Sequence, residues 1–199
     1  MNTQPARSAT IERTTRETSI RASVGLDGVG RAEVSTGIGF LDHMLTALAA
    51  HSLIDITLSC EGDLGVDDHH TAEDCAIVLG SAIDRALGDR SGVARFGSAY
   101  APMDEALARV AIDLSGRAHA GVDLRFTRET VGAIATENIT HVFVSLSQSL
   151  RCALHADVLK GSNDHHKAEA AFKALALALR GAVSIDPRRS GIASTKGVL

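Results

Sequence analysis

Val66–Asp74 reads Val-Asp-Asp-His-His-Thr-Ala-Glu-Asp, and Ser162–Ala170 reads Ser-Asn-Asp-His-His-Lys-Ala-Glu-Ala. The shared core, Asp-His-His-x-Ala-Glu, places His69 and His165, and likewise Glu73 and Glu169, 96 positions apart. A third pair, His43 and His141, is offset by 98. A near-constant offset over three features indicates an internal duplication. Two copies are too few for a solenoid, so the expectation is a pseudo-twofold α/β unit.

The surroundings of each copy follow one order. Residues 8–26 tend to alternate and are rich in Thr, Ile and Val, which predicts one strand or two. After a Gly-rich turn and a short strand at 31–37, Phe40, Met44, Leu45 and Leu48 recur at helical spacing up to His51. A strand over 53–62 leads through the first His pair into an amphipathic helix that Gly88 closes. The second half repeats this: strands near 93–102, 105–116 and 118–126, a helix over 136–152, a strand over 152–161, then the second His pair and a helix. The expected division is 8–93, 94–190 and a tail at 191–199, in an α+β fold with helices packed on mixed β-sheets.

With 199 residues, 45% hydrophobic and 22% charged, the composition is that of a globular chain. A net charge of −4 argues against general nucleic-acid binding. No apolar run reaches the ~20 residues that span a bilayer, and the N-terminal stretch lacks the apolar core of a secretory signal. Cys60, Cys75 and Cys152 are scattered, as small buried residues in a reducing compartment are, so the expected location is the cytoplasm. Five Phe, one Tyr and no Trp leave the core to Leu, Ile, Val and Ala.

Asp68 and Asn163 fall near the capping positions of the two helices, and the His pairs open them. Successive helical residues point about 100° apart, so adjacent imidazoles suit two ions better than one. Glu73 shares a face with either His69 or His70. Each unit therefore looks like half of two metal sites, the rest coming from elsewhere in the fold or from another subunit. Imidazole and carboxylate without thiolate suit Mn, Fe, Zn, Ni or Co. A dinuclear metallohydrolase and a metal-dependent assembly protein are the competing readings.

The segments 39–52, 61–74, 95–107 and 159–180, with Ser-Thr-Lys-Gly-Val-Leu at 194–199, closely resemble the imidazoleglycerol-phosphate dehydratases. The resemblance runs from about Arg13 to Leu199 and implies two similar β/α halves (ribosomal protein S5 domain 2-like repeats). It implies dehydration of imidazole glycerol phosphate to imidazole acetol phosphate in histidine biosynthesis, through an imidazolate held by two manganese ions. The implied assembly is a homo-oligomer of 24 subunits with the active site between subunits, binding neither nucleic acid nor membrane. A phosphatase segment that some relatives carry is not seen. The implied metal ligands are His43, His69, His70, Glu73, His141, His165, His166 and Glu169. By the angular argument, His70 joins His43 and Glu73 on one ion and His69 belongs to the other, or the two imidazoles are exchanged. Glu17 matches the catalytic carboxylate, with Glu73 and Glu169 able to share proton transfer. Phosphate binding carries over to Arg95, Arg117, Lys173, Ser194 and Lys196, and Asp104 is a candidate for orienting a hydroxyl or a ligand. Two departures stand out: Ala118-His119 where many relatives read Pro-Tyr, and Thr195 where a second Ser is common.

Overall fold

The computed structural model describes residues 7–197; Val198 and Leu199, the end of the expected tail, lie outside them. The first half runs β1 (Ser8–Thr14), β2 (Thr18–Gly25), β3 (Ala32–Ser35), α1 (Gly39–Ser52), β4 (Asp55–Gly62), α2 (His69–Leu87). The second runs β5 (Phe96–Met103), β6 (Ala106–Asp113), β7 (His119–Asp123), β8 (Thr130–Val131), β9 (Ile134–Ala135), α3 (Thr136–Leu150), β10 (Ala153–Lys160), α4 (Asp164–Val183).

Each half forms a four-stranded mixed sheet, in the orders β1-β2-β4-β3 and β5-β6-β10-β7. In both, the first three strands pair antiparallel and the fourth pairs parallel. The parallel pairs need a crossover, which α1 and α3 supply. β2 shows why one face is covered: Thr18, Ile20, Ala22 and Val24 are buried while Ser19 and Arg21 between them are exposed. α1 and α2 lie on the first sheet, α3 and α4 on the second. The helices also pack across the halves, α2 on α3 and α1 on α4, so the two sheets enclose a helical middle. The core is mostly aliphatic, with Phe143 and Phe172 meeting edge to face at 4.9 Å.

The α2–α3 contact is close because Gly80 has no side chain. A Cβ there would stand 2.1 Å from Ser149 Oγ and 3.0 Å from the Leu146 carbonyl oxygen. The β8–β9 hairpin was absent from the sequence reading; strands of two residues are too short to alternate. Asp68 and Asn163 are the N-cap residues of α2 and α4, as expected, but the Asp68 side chain makes no bond to its own helix. In side-chain bonding, Asp67, not Asp68, matches Asn163: Asp67 Oδ1 accepts from His69 N at 2.9 Å and Asn163 Oδ1 from His165 N at 2.9 Å. Asp68 instead accepts from Ala135 N at 2.7 Å, capping α3 in the other half. Among the described residues the three cysteines are free, with Cys75 and Cys152 buried and Cys60 partly so. No described helix is long and apolar enough to cross a membrane.

Candidate active site

The helix pairings gather the histidines into two triads. His43 of α1 meets His165 and Glu169 of α4; His141 of α3 meets His69 and Glu73 of α2. In each triad the donor atoms lie within 4.8 Å of one another. Glu169 Oε2 is 3.6 Å from His43 Nε2 and 3.4 Å from His165 Nε2. Glu73 is 3.0 Å from His141 Nε2 and 3.8 Å from His69 Nε2. The i,i+4 spacing puts His and Glu one turn apart on one face, and the crossing helix adds the second imidazole. Of the two divisions that helical angles left open, the exchanged one matches for His69 and Glu73, while His43 sits with neither. Glu73 sits with His69 and not His70, and His43 sits with the other carboxylate. The angular argument could not include the crossing partner.

His70 and His166 belong to neither triad. His70 Nδ1 donates to Asp63 Oδ2 at 3.0 Å, and its Nε2 lies 3.7 Å from Glu17. His166 Nδ1 donates to Glu105 Oε2 at 2.7 Å, and its Nε2 lies 3.8 Å from Asp104. The bond to Asp63 holds the His70 ring above the usual histidine range, and the bond to Glu105 does the same for His166. Glu105 in turn is held far below the carboxylate range, by His166 first and then by the backbone N–H groups of Asn163 and Ser162. These Nδ1 bonds fix the tautomer that leaves Nε2 free to ligate.

His69 Nδ1 is likewise held, by Asn138 Oδ1 at 2.8 Å, whereas His165 is packed edge-on by Phe40 with ring centroids 5.0 Å apart. Burial pushes the Glu169 carboxyl up, but the Lys173 ammonium at 2.7 Å, with His43, more than offsets this and leaves it below its ordinary value. Two imidazoles and a carboxylate per triad, with no thiolate, fit a divalent first-row ion.

A second site lies elsewhere. Arg95, Arg117, Ser194 and Lys196, with Phe96, Arg189 and Thr195, line an open cleft of about 530 Å³. Arg95 forks onto Asp113 at 2.6 and 3.0 Å and donates to the Ala193 carbonyl at 2.6 Å, fixing the tail against β5. Arg189, in a loop without a local pattern, was missed by the sequence reading, as were Asn138, Asp63 and Glu105. Lys173, expected at the phosphate, does not line this cleft; it pairs with Glu169 and donates to Met103 Sδ at 3.3 Å. No residue of either triad lines the cleft, and the Glu169 triad lies well along α4 from it. Gly97 beside the cleft abuts Ala178 and Ala182 of α4, and Glu169 lies about 14 Å along that helix from Ala178 and about 20 Å from Ala182 at 1.5 Å per residue. His119 and His155, outside both sites, face each other on the second sheet with centroids 5.3 Å apart.

Residues 36–179 match the family described as imidazoleglycerol-phosphate dehydratase. An imidazoleglycerol-phosphate dehydratase of Phytophthora nicotianae is 58% identical over 97% of this chain, which spans 42% of that longer protein. Those of Salinibacter ruber and Granulibacter bethesdensis are 52% and 55% identical, over 97% of this chain and 96% and 99% of their own lengths. Crystal structures from Staphylococcus aureus and Pyrococcus furiosus superpose with TM-scores of 0.81 and 0.82, at 35% and 37% identity. They cover 90% and 95% of this chain and 99% and 100% of theirs. Sequence along nearly the whole chain and fold agree: the chain belongs to the imidazoleglycerol-phosphate dehydratase family and is a hydro-lyase.

Proposed function

We propose that this chain dehydrates imidazole glycerol phosphate to imidazole acetol phosphate in histidine biosynthesis, with two manganese ions per active site. The observation that carries the reading is the pair of matched triads, each drawing its ligands from both halves. His43, His165 and Glu169 would hold one ion, and His69, Glu73 and His141 the other. Bound there, the ions supply Lewis-acid stabilisation of a deprotonated imidazole ring. His70 and His166 complete the ligand sets of neighbouring subunits, giving three imidazoles and one carboxylate per ion. The Glu17 carboxylate, exposed at the β1–β2 turn, moves the proton at the substrate carbon or at the departing hydroxyl. Asp104 stands in the β5–β6 turn as Glu17 does in the β1–β2 turn, suited to hold a substrate hydroxyl. Arg95, Arg117, Ser194 and Lys196, joined by Arg189, receive the phosphate dianion through charge-assisted hydrogen bonds.

Distance supports a site shared between subunits. The carbon chain from ring to phosphate, at about 1.5 Å per bond, spans less than about 10 Å. It falls short of the separation along α4 between the cleft and the Glu169 triad of the same chain. On this proposal one subunit's cleft serves another's ions, in the cytoplasmic homo-oligomer of 24 chains that the family resemblance implies. The arginine-lined cleft also speaks against a purely structural metal protein, which has no need of it.

The test is complementation. His43→Ala and Arg117→Ala proteins, each inactive alone, are dissociated, mixed and reassembled with manganese, and ketone formation from imidazole glycerol phosphate is followed. Regained activity is expected. Mixed particles of normal size that stay inactive would refute the shared site. Wild-type protein holding two ions but forming no ketone would refute the reaction.

A further inference from the structure

Asp74 follows Glu73 on α2 but turns into the protein, only 5% exposed. A buried carboxylate is costly unless it is well partnered. Its Oδ2 accepts from Thr18 Oγ1 at 2.5 Å. Arg13 Nη1 stands 2.5 Å from the same oxygen, as an ion pair without hydrogen-bond alignment. Arg13 is the last but one residue of β1 and Thr18 starts β2, so one carboxylate grips both arms of the turn that carries Glu17.

The turn is braced within as well. Thr15 Oγ1 accepts from Glu17 N at 3.1 Å and Thr18 N at 3.0 Å. The Glu17 carbonyl accepts from Asp63 N at 3.0 Å, and the Asp63 carboxylate receives His70 Nδ1. Asp74, the hairpin, Glu17, Asp63 and His70 thus form one connected unit on α2. Among the described residues the second half has no equivalent. The position 96 residues on is Ala170, and the β5–β6 turn is tied instead by Glu105 to Ser162 N and Asn163 N. Asp164 and Glu169 are also buried, but Asp164 binds Thr127, Arg128 and Lys167 and Glu169 binds Lys173; among the described residues the carboxylate that grips both arms of a β-turn lies beneath the hairpin that bears Glu17.

We propose that Asp74 is a positioning residue for Glu17, clamping the β1–β2 hairpin to the helix that carries His69, His70 and Glu73. It touches no substrate and acts through the Glu17 carboxylate; the inference rests on Glu17 being the proton-transferring group.

A double-mutant cycle tests it. Asp74→Asn should lower kcat by about 10²-fold, the cost of misplacing a reacting group by about 1 Å. Manganese content should be unchanged, and amide hydrogen exchange over residues 15–18 should accelerate. In a Glu17→Gln background the same substitution should change kcat by less than about 2-fold, the range expected when its target is already gone. An equal loss in both backgrounds, or no loss in either, would overturn the inference. Wild-type kcat in Glu17→Gln alone would overturn the role of Glu17 itself, whereas wild-type kcat in Asp74→Asn beside an inactive Glu17→Gln removes Asp74 only. Should Asp74→Asn fail to fold, Thr18→Val deletes one arm of the clamp and must slow kcat and loosen the turn in the same sense.

Discussion

Replacing Asn138 by Ala should weaken one ion site and spare the other. Asn138 is buried, and its Oδ1 accepts the Nδ1–H of His69 at 2.8 Å. That bond keeps the lone pair on Nε2, the atom facing Glu73 at 3.8 Å. Without the acceptor the ring is free to turn and to change tautomer. Loss of such a supporting bond typically costs 10–100-fold in metal affinity, about 1.4–2.7 kcal/mol. The place of Asn138 in the other triad is taken by Phe40, which packs edge-on against His165 and makes no hydrogen bond to it. Calorimetric titration of metal-free Asn138→Ala protein with manganese should therefore separate two classes of site, one near wild type and one weaker by that factor. Asn138→Asp, whose carboxylate accepts the same bond, should restore a single class. Equal weakening of both classes, or of neither, would refute the argument that Asn138 acts through the His69 ring.

Three further outcomes are expected. Gly80→Ala should cost about 1–3 kcal/mol in thermal or urea unfolding. Turning Ser149 relieves its 2.1 Å clash but not the 3.0 Å approach to the Leu146 carbonyl, so an unchanged Tm would contradict the packing described. Asp55 is held below its ordinary pKa by the backbone N–H of Arg31 first and then of Val29, at 2.8 and 2.9 Å. A depressed folded pKa means its stabilisation is present above the unfolded value, about 3.9, and is lost as pH falls through the folded one. Wild type should thus exceed Asp55→Asn in urea midpoint at pH 6, with the gap closing at pH 3. Arg189→Ala should raise KM about 10-fold with little change in kcat, as expected for a group that binds phosphate in ground and transition state alike; an unchanged KM would remove it from the cleft's function.

Much of the site was legible because its spacing is local. His69 with Glu73 and His165 with Glu169 are i,i+4 pairs, and their repetition announced the duplication before any coordinates. What local spacing cannot carry is which helix crosses which. His43 joins Glu169, distant in sequence, because α1 packs on α4, a crossing that neither division drawn from helical angles contained. The supports are equally non-local: Asn138 lies 69 residues from His69, and Glu105 lies 61 from His166. Asp68 was legible as a capping residue but not as the cap of a helix in the other half. Lys173 was carried over as an anion ligand from the family resemblance; within one subunit it pairs with Glu169, one turn back.

Neither half of the chain owns a complete triad. A fragment ending after α2 would keep the lone imidazole of His43 and the His69–Glu73 pair; a fragment beginning at β5 would keep His141 and the His165–Glu169 pair. Two copies of one ancestral fragment, exchanging their lone imidazoles across a dyad, would complete both constellations. Joining them in tandem makes that encounter intramolecular and independent of dilution. It also lets each copy acquire its own neighbours, so that an amide steadies one ring and a phenyl edge the other.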